Sequence, residues 1–162
     1  MKTLTFETLT PGILYIDQRE PIQFAEKIAE LTATPIEIRT LETGDFVMED
    51  IAVERKTVDD FCGSIMSKKS IKDGKIVEGR LFNQADRMRR QFRKKYILIT
   101  GNLCDRTSQI HIHALLGGLA RFYVEDGQVM TGLSDEDDFV YFLLKLLEKD
   151  GKLTMFKPNK KR

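Results

Sequence analysis

The sequence predicts an α/β sandwich, a central mixed β-sheet flanked by helices, and three observations carry that prediction. Short apolar strand segments alternate along the chain with segments of helical period. Two of the strand segments are separated only by Glu49-Asp50, a hairpin that adds antiparallel pairing to a chain otherwise linked through helices. The 162 residues, 41% hydrophobic and 31% charged, suit one domain around one core. Residues 1–150 are expected to form that domain and residues 151–162 a short basic tail.

Gly12 to Ile16 reads as a short buried strand ending at Asp17. Pro21 opens a helix with the apolar stripe Phe24, Ile28 and Leu31, and Pro35 follows its end. Ile36 to Leu41 alternates apolar and polar residues like a half-buried strand. Gly44-Asp45 turns into Phe46–Met48, and the hairpin returns as Ile51 to Lys56. Thr57, with Asp60 three residues on, fits a capping box for a helix from about Val58 to Met66. The polar stretch from residue 67 to 77 reads as a mobile loop.

Glu78 to Lys94 has the helical period, with Leu81, Phe82, Ala85, Met88 and Phe92 on one face. Tyr96 to Thr100 is an apolar strand, Ser108 to Tyr123 a helix, and Gln128 to Thr131 a short strand. Ser134 is the expected cap of a last helix ending before Gly151. Asp135 to Asp138 suit the positive end of that helix and are read as structural. The last helix has a wide apolar face (Phe139, Phe142, Leu143, Leu146, Leu147), and Gly117-Gly118 implies close packing of the preceding helix. Core and dimer interface are equally open readings of both features.

The net charge of +1 conceals an uneven distribution. Lys68 to Lys95 holds eleven basic residues against three acids, whereas Val124 to Asp150 holds eight acids against two bases. A positive stretch of that density can bind a polyanion. No apolar run approaches the roughly 20 residues that span a bilayer, and the N-terminal residues lack a signal-peptide core. Two cysteines, Cys62 and Cys104, point to a reducing interior, cytoplasmic or, in a eukaryote, nuclear. His111 and His113 would diverge by about 160° on a helix and so could not share a zinc ion.

The chemistry concentrates between Gly44 and Asp60. Side chains alternate along a strand, so Glu54 and Lys56 share one face and Arg55 takes the other. The hairpin brings Asp45 back toward Glu54, and two carboxylates and an ammonium then share one small site. Magnesium takes hard oxygen ligands, usually one or two carboxylates with waters and phosphate oxygens. Asp17, at the end of its strand, is a plausible third acid. Taken singly, these residues have plainer readings: a surface ion pair for Glu54 and Lys56, a capping acid at Asp60, a surface charge at Arg55.

Together they resemble the signature of the XPF-type nucleases, a Gly-Asp, a short spacer, then Glu-Arg-Lys-x-x-x-Asp. Here it stands as Gly44-Asp45, eight intervening residues, and Glu54-Arg55-Lys56-Thr57-Val58-Asp59-Asp60. Ile16-Asp17-Gln18-Arg19-Glu20 is similar to that family's strand-end segment, and Gly79-Arg80-Leu81 to its helix start. The resemblance covers roughly residues 12 to 150. It implies the restriction-endonuclease-like fold, with magnesium or manganese held by Asp45 and Glu54 and helped by Asp17. It implies catalytic roles for Arg55, Lys56 and Asp60, and backbone or phosphate contacts for Arg80; Arg19 and, on the basic stretch, Lys68, Lys69 and Arg87 are further candidate DNA contacts. It also implies a homodimer cutting forked or flapped DNA in repair or recombination, with no membrane association and no small-molecule cofactor. A different class stays open, a non-catalytic DNA-binding scaffold that pairs with another nuclease.

Overall fold

A computed structural model describes residues 3–66, 70–72, 75–77, 90–102, 109–125, 129–133 and 135–157. The strands are β1 (Leu14–Asp17), β2 (Ile36–Arg39), β3 (Phe46–Met48), β4 (Ile51–Thr57), β5 (Ser70–Lys72), β6 (Lys75–Val77), β7 (Lys94–Thr100) and β8 (Val129–Leu133). The described helices are α1 (Ile22–Leu31), α2 (Val58–Met66), α3 (Ile112–Glu125) and α4 (Glu136–Lys149), with a short 3-10 helix at Phe6–Thr8. Six strands form one sheet in the order β2-β1-β3-β4-β7-β8. β1 pairs with β2 in parallel across the α1 crossover, β3 runs antiparallel to both β1 and β4, and β4, β7 and β8 are parallel. The sheet is therefore mixed and flanked by helices, as the sequence predicts.

β4 is the spine of this sheet. Its seven residues all pair with β7, from Ile51 opposite Lys94 to Thr57 opposite Thr100, while its first three also pair with β3. On one face, Leu14, Ile16, Phe46, Met48, Ile51, Val53 and Leu98 meet α1 and α4. The rings of Phe24, Phe46 and Phe139 pack together there with centroids 5.4–6.0 Å apart. The other face is covered near β7 by α2 and α3, where Phe61, Cys62, Leu115 and Leu119 enclose Ile97 and Ile99. A smaller cluster on that side joins Tyr15, Leu41, Val47, Ala52 and Phe92.

Several sequence expectations are revised by tertiary contacts. The wide apolar face of α4 is core: Phe139, Leu143 and Leu147 are buried and Phe142 and Leu146 lean on the same cluster. At about 1.5–3 kcal/mol for each buried side chain, that burial holds α4 in place far more strongly than helix propensity could. Gly118 is explained within the chain, because a Cβ there would meet Ile65 Cδ1 of α2 at 2.7 Å. Gly117 faces open space. The loop expected over residues 67–77 contains a hairpin, with Ile71 opposite Ile76, and its signal was the Asp73-Gly74 turn dipeptide. Asp135 caps α4 by accepting from the Asp138 amide at 2.7 Å. Ser134 and most of the expected helix 78–94 lie outside the described residues. Within that segment, Arg90 and Gln91 are helical, and the next strand starts at Lys94, two residues earlier than its apolar run.

The segment after Gly151 is also part of the domain. Leu153 and Met155 enter the core, Phe156 donates its amide to Leu31 O at 2.8 Å, and Thr32 Oγ1 donates to Thr154 O. The tail read from its basic residues therefore begins later, because two apolar positions every second residue are enough to anchor an extended strap. At the hairpin end of β4, opposite the site, Arg93 bridges Asp50 and Asp150, Lys94 pairs with Asp150, and Lys152 reaches Asp50 at 3.0 Å. Arg93 and Lys94 of the basic stretch are thus engaged by acids of the chain itself. His111 precedes α3 and caps it, its Nδ1 accepting from the His113 amide, so the two rings lie 4.7 Å apart and do not diverge.

The two glycines give a direct test of the α2–α3 contact. Gly118→Leu overpacks Ile65 and is expected to destabilise the domain by about 1–3 kcal/mol in urea denaturation. Gly117→Ala is expected to be neutral or stabilising by up to about 1 kcal/mol.

Candidate active site

Asp45 is placed by the start of β3. Gly44 precedes it with φ 84°, and a Cβ at Gly44 would press on Val47 Cγ2 at 3.1 Å, so the turn needs glycine on both counts. The Asp45 backbone is held on both sides, its amide donating to Val53 O at 2.8 Å and its carbonyl accepting from Asp17 N at 2.9 Å. The Arg55 amide then donates to Asp45 Oδ2 at 2.8 Å. Glu54 lies beside it on β4, one residue beyond the Phe46–Val53 pair, close enough for the two carboxyls to influence each other.

Sheet register sorts the remaining residues. Glu54 and Lys56 stand opposite Ile97 and Ile99 of β7, on the α2/α3 face, while Arg55 stands opposite Leu98 on the α1/α4 face. The expected alternation is present, and its consequence is a division of labour. Asp45, Glu54 and Lys56 form the acid–amine group. Arg55 instead makes a two-point fork to Glu20, Nε to Oε1 at 3.1 Å and Nη2 to Oε2 at 2.8 Å, with its guanidinium 5.0 Å from the Phe24 ring centroid. Glu20 belongs to the Asp17–Glu20 strand-end segment, but its pairing across 35 residues has no sequence signal.

Asp17 and Arg19 form a third unit at the end of β1. The Asp17 carboxylate accepts from Arg19 Nε at 2.7 Å, from the Arg19 amide at 3.2 Å and from the Leu41 amide at 2.9 Å. Burial opposes its ionisation, but the Arg19 guanidinium and these amides outweigh it and hold the carboxyl below its usual value. Both oxygens are thus engaged, so Asp17 orders the turn while the Arg19 side chain remains 74% exposed. Asp60 stands exposed in the first turn of α2, its amide donating to Thr57 Oγ1 at 3.1 Å. Lys68, Lys69, Arg80 and Arg87 lie outside the described residues.

The acid pair is under electrostatic strain. Burial, then the charges of Glu54 and Glu20, push the Asp45 carboxyl up to about 8. Burial also raises Glu54, against the pull of Lys56. Two carboxylates that favour their protonated forms under such pressure would be relieved by a cation. The donors are hard oxygens, the preference of magnesium or manganese. Among the described residues, no group of three His, Cys, Asp or Glu side chains could hold a metal alone. The pair therefore fits an ion that retains waters or phosphate oxygens.

Residues 16–146 match the ERCC4 domain family. The chain therefore belongs to that family, the XPF-type one whose motif the sequence carries. It is 30% identical over 116 residues to a putative ATP-dependent RNA helicase of Methanocaldococcus jannaschii, which covers 71% of this chain but 13% of that protein. Among solved structures, XPF from Aeropyrum pernix superposes with a TM-score of 0.65 at 23% identity, covering 84% of this chain and 65% of that one. The same protein in complex with DNA gives 0.67 at 23%, covering 87% and 66%. These likenesses establish the restriction-endonuclease-like fold. The chain spans just under two thirds of the length of those XPF chains and a far smaller part of the helicase.

The strain in the acid pair predicts a pH-dependent variant effect. A carboxyl raised in the folded state lowers stability as pH climbs from the unfolded value near 4 to the folded value near 8. In EDTA, Asp45→Asn should match the wild type in thermal unfolding near pH 4 and become progressively more stable than it up to about pH 8.

Proposed function

We propose that this chain is a metal-dependent DNA endonuclease domain that hydrolyses phosphodiester bonds near single-strand/double-strand junctions. The observation that carries the reading is the convergence of Asp45 and Glu54, with Lys56 on the same sheet face, in a chain of the ERCC4 domain family. DNA as substrate is supported by the solved complex of XPF from Aeropyrum pernix with DNA. The junction preference rests on the motif resemblance, and cutting at branch points is a chemistry of DNA repair and recombination.

Asp45 and Glu54 would hold magnesium or manganese, which supplies Lewis-acid polarisation of the phosphate and a bound water of lowered pKa. The residues around it do the rest. The Arg55 amide keeps the Asp45 carboxylate oriented. Lys56 brings an ammonium to the same face, to orient the attacking water or offset charge developing on the phosphoryl oxygens. The exposed Arg19 guanidinium, anchored by Asp17, faces solvent at the strand end, where a neighbouring backbone phosphate would meet it. Water oxygen adds to phosphorus, one ester P–O bond breaks, and the departing oxygen leaves as a hydroxyl. Lys68, Lys69, Arg80 and Arg87 are proposed as further phosphate contacts on the basic stretch.

A homodimer is part of this reading. α3 exposes Leu116 at 52%, Tyr123 at 55% and Val124 at 87%, with Gly117 open beside them. An apolar helix face of that kind is suited to a second copy. Leu116→Glu is expected to convert dimer to monomer in analytical ultracentrifugation. A wild type that stays monomeric at every concentration would remove the dimer from the proposal.

The test of the chemistry is cleavage of end-labelled forked, flapped and plain duplex DNA with magnesium, beside Asp45→Asn and Lys56→Ala. Cutting near the junction by the wild type and a loss on the order of 100-fold or more in both variants is the expected result. Fork binding without cutting, even in manganese, would instead identify a scaffold that pairs with another nuclease.

A further inference from the structure

The contacts around Asp45 close on themselves. Asp45 O accepts from the Asp17 amide at 2.9 Å, and Asp17 O accepts from the Glu20 amide at 3.0 Å. The Glu20 carboxylate takes both bonds of the Arg55 fork, and the Arg55 amide returns to Asp45 Oδ2 at 2.8 Å. The circuit thus ties the Asp17–Glu20 turn after β1 to the start of β3 and the middle of β4, leaving from the Asp45 carbonyl and returning to its carboxylate. From these bonds we infer that Glu20 is a positioning residue, which orients the Asp45 carboxylate by holding Arg55, and that Arg55 works through this clamp and not by touching substrate. The inference rests on the nuclease reading for its effect on rate, but not for its geometry.

Three features support a clamp over a substrate contact. The Glu20 side chain is only 7% exposed and that of Arg55 21%, so the pair is largely withdrawn from solvent. Register places Arg55 on the α1/α4 face, away from the face shared by Glu54 and Lys56. The guanidinium is also stacked over Phe24, itself 1% exposed, which removes its remaining freedom. A bidentate fork sets both distance and plane, whereas a lysine at position 55 would keep the charge and lose the plane. With the side chain fixed on one side of β4, the Arg55 amide cannot tilt, and the Asp45 oxygen that accepts from it keeps its direction.

The experiment combines steady-state cleavage of forked DNA with side-chain nitrogen NMR of the metal-free protein, on wild type, Glu20→Gln, Glu20→Asp, Arg55→Lys and the Glu20→Gln/Arg55→Lys double variant. Circular dichroism confirms that each is folded. In the wild type, the Arg55 Nε–H signal is expected to be protected from solvent exchange, and Glu20→Gln should abolish that protection. Glu20→Gln should lower kcat by about 10- to 100-fold and raise the magnesium midpoint, with KM for DNA changed by no more than about threefold. Glu20→Asp should recover part of both signals, and the double variant should be no worse than the poorer single one. Loss confined to KM would place the pair on the DNA and overturn the inference, as would additive losses or an Nε–H signal indifferent to Glu20→Gln. Should the wild type cut no DNA, the nuclease reading falls and the Nε–H exchange decides the clamp alone.

Discussion

Asp45 and Glu54 repel one another, and the surrounding sheet must hold them together where both are partly withdrawn from solvent. The hairpin does this first through its backbone: β3 and β4 meet as neighbours, and Asp45 is pinned by Val53 on one side and Asp17 on the other. The cost appears in the carboxyls themselves, both raised chiefly by burial. The rigidity of β4, paired along its whole length with β7, is therefore part of the chemistry and not merely its scaffold.

The core explains how that rigidity is achieved in a small chain. One apolar cluster packs α1 and α4 side by side on one face of β1, β3, β4 and β7, while α2 and α3 close the other side of β7. The two ends of β4 are then treated differently. At the hairpin end, Asp50, Arg93, Lys94, Asp150 and Lys152 satisfy each other. At the other end the charges are partly exposed, with the acids of Asp45 and Glu54 beside Lys56 and Arg19, and the proposed site lies there.

Arg55 and Lys56 show how adjacent residues of one motif can be separated in role. Strand pleating sends them to opposite faces, so the ammonium joins the carboxylates while the guanidinium joins Glu20 and Phe24. Asp17 and Arg19 illustrate the same point, since the acid is consumed in holding the turn and the base is presented to solvent.

The sequence by itself determined most of the element order and the mixed sheet, because these rest on local rules of apolar period, turn residues and alternation along a strand, and it placed Asp45 and Glu54 on neighbouring strands. Gly44-Asp45 and Glu54-Arg55-Lys56 were legible for that reason, and the glycine requirement at residue 44 is a backbone property readable before folding. Tertiary structure decided what depends on partners far along the chain. Glu20 meets Arg55, Gly118 meets Ile65, and Leu153 and Met155 join the core, none of which a local pattern encodes. The strands 70–72 and 75–77, signalled only by a turn dipeptide, and the histidine cap at residue 111 were hard to read for the opposite reason. Short polar segments carry weak periodicity, and only the hydrogen bonds that they form in place distinguish a strand or a cap from a loop.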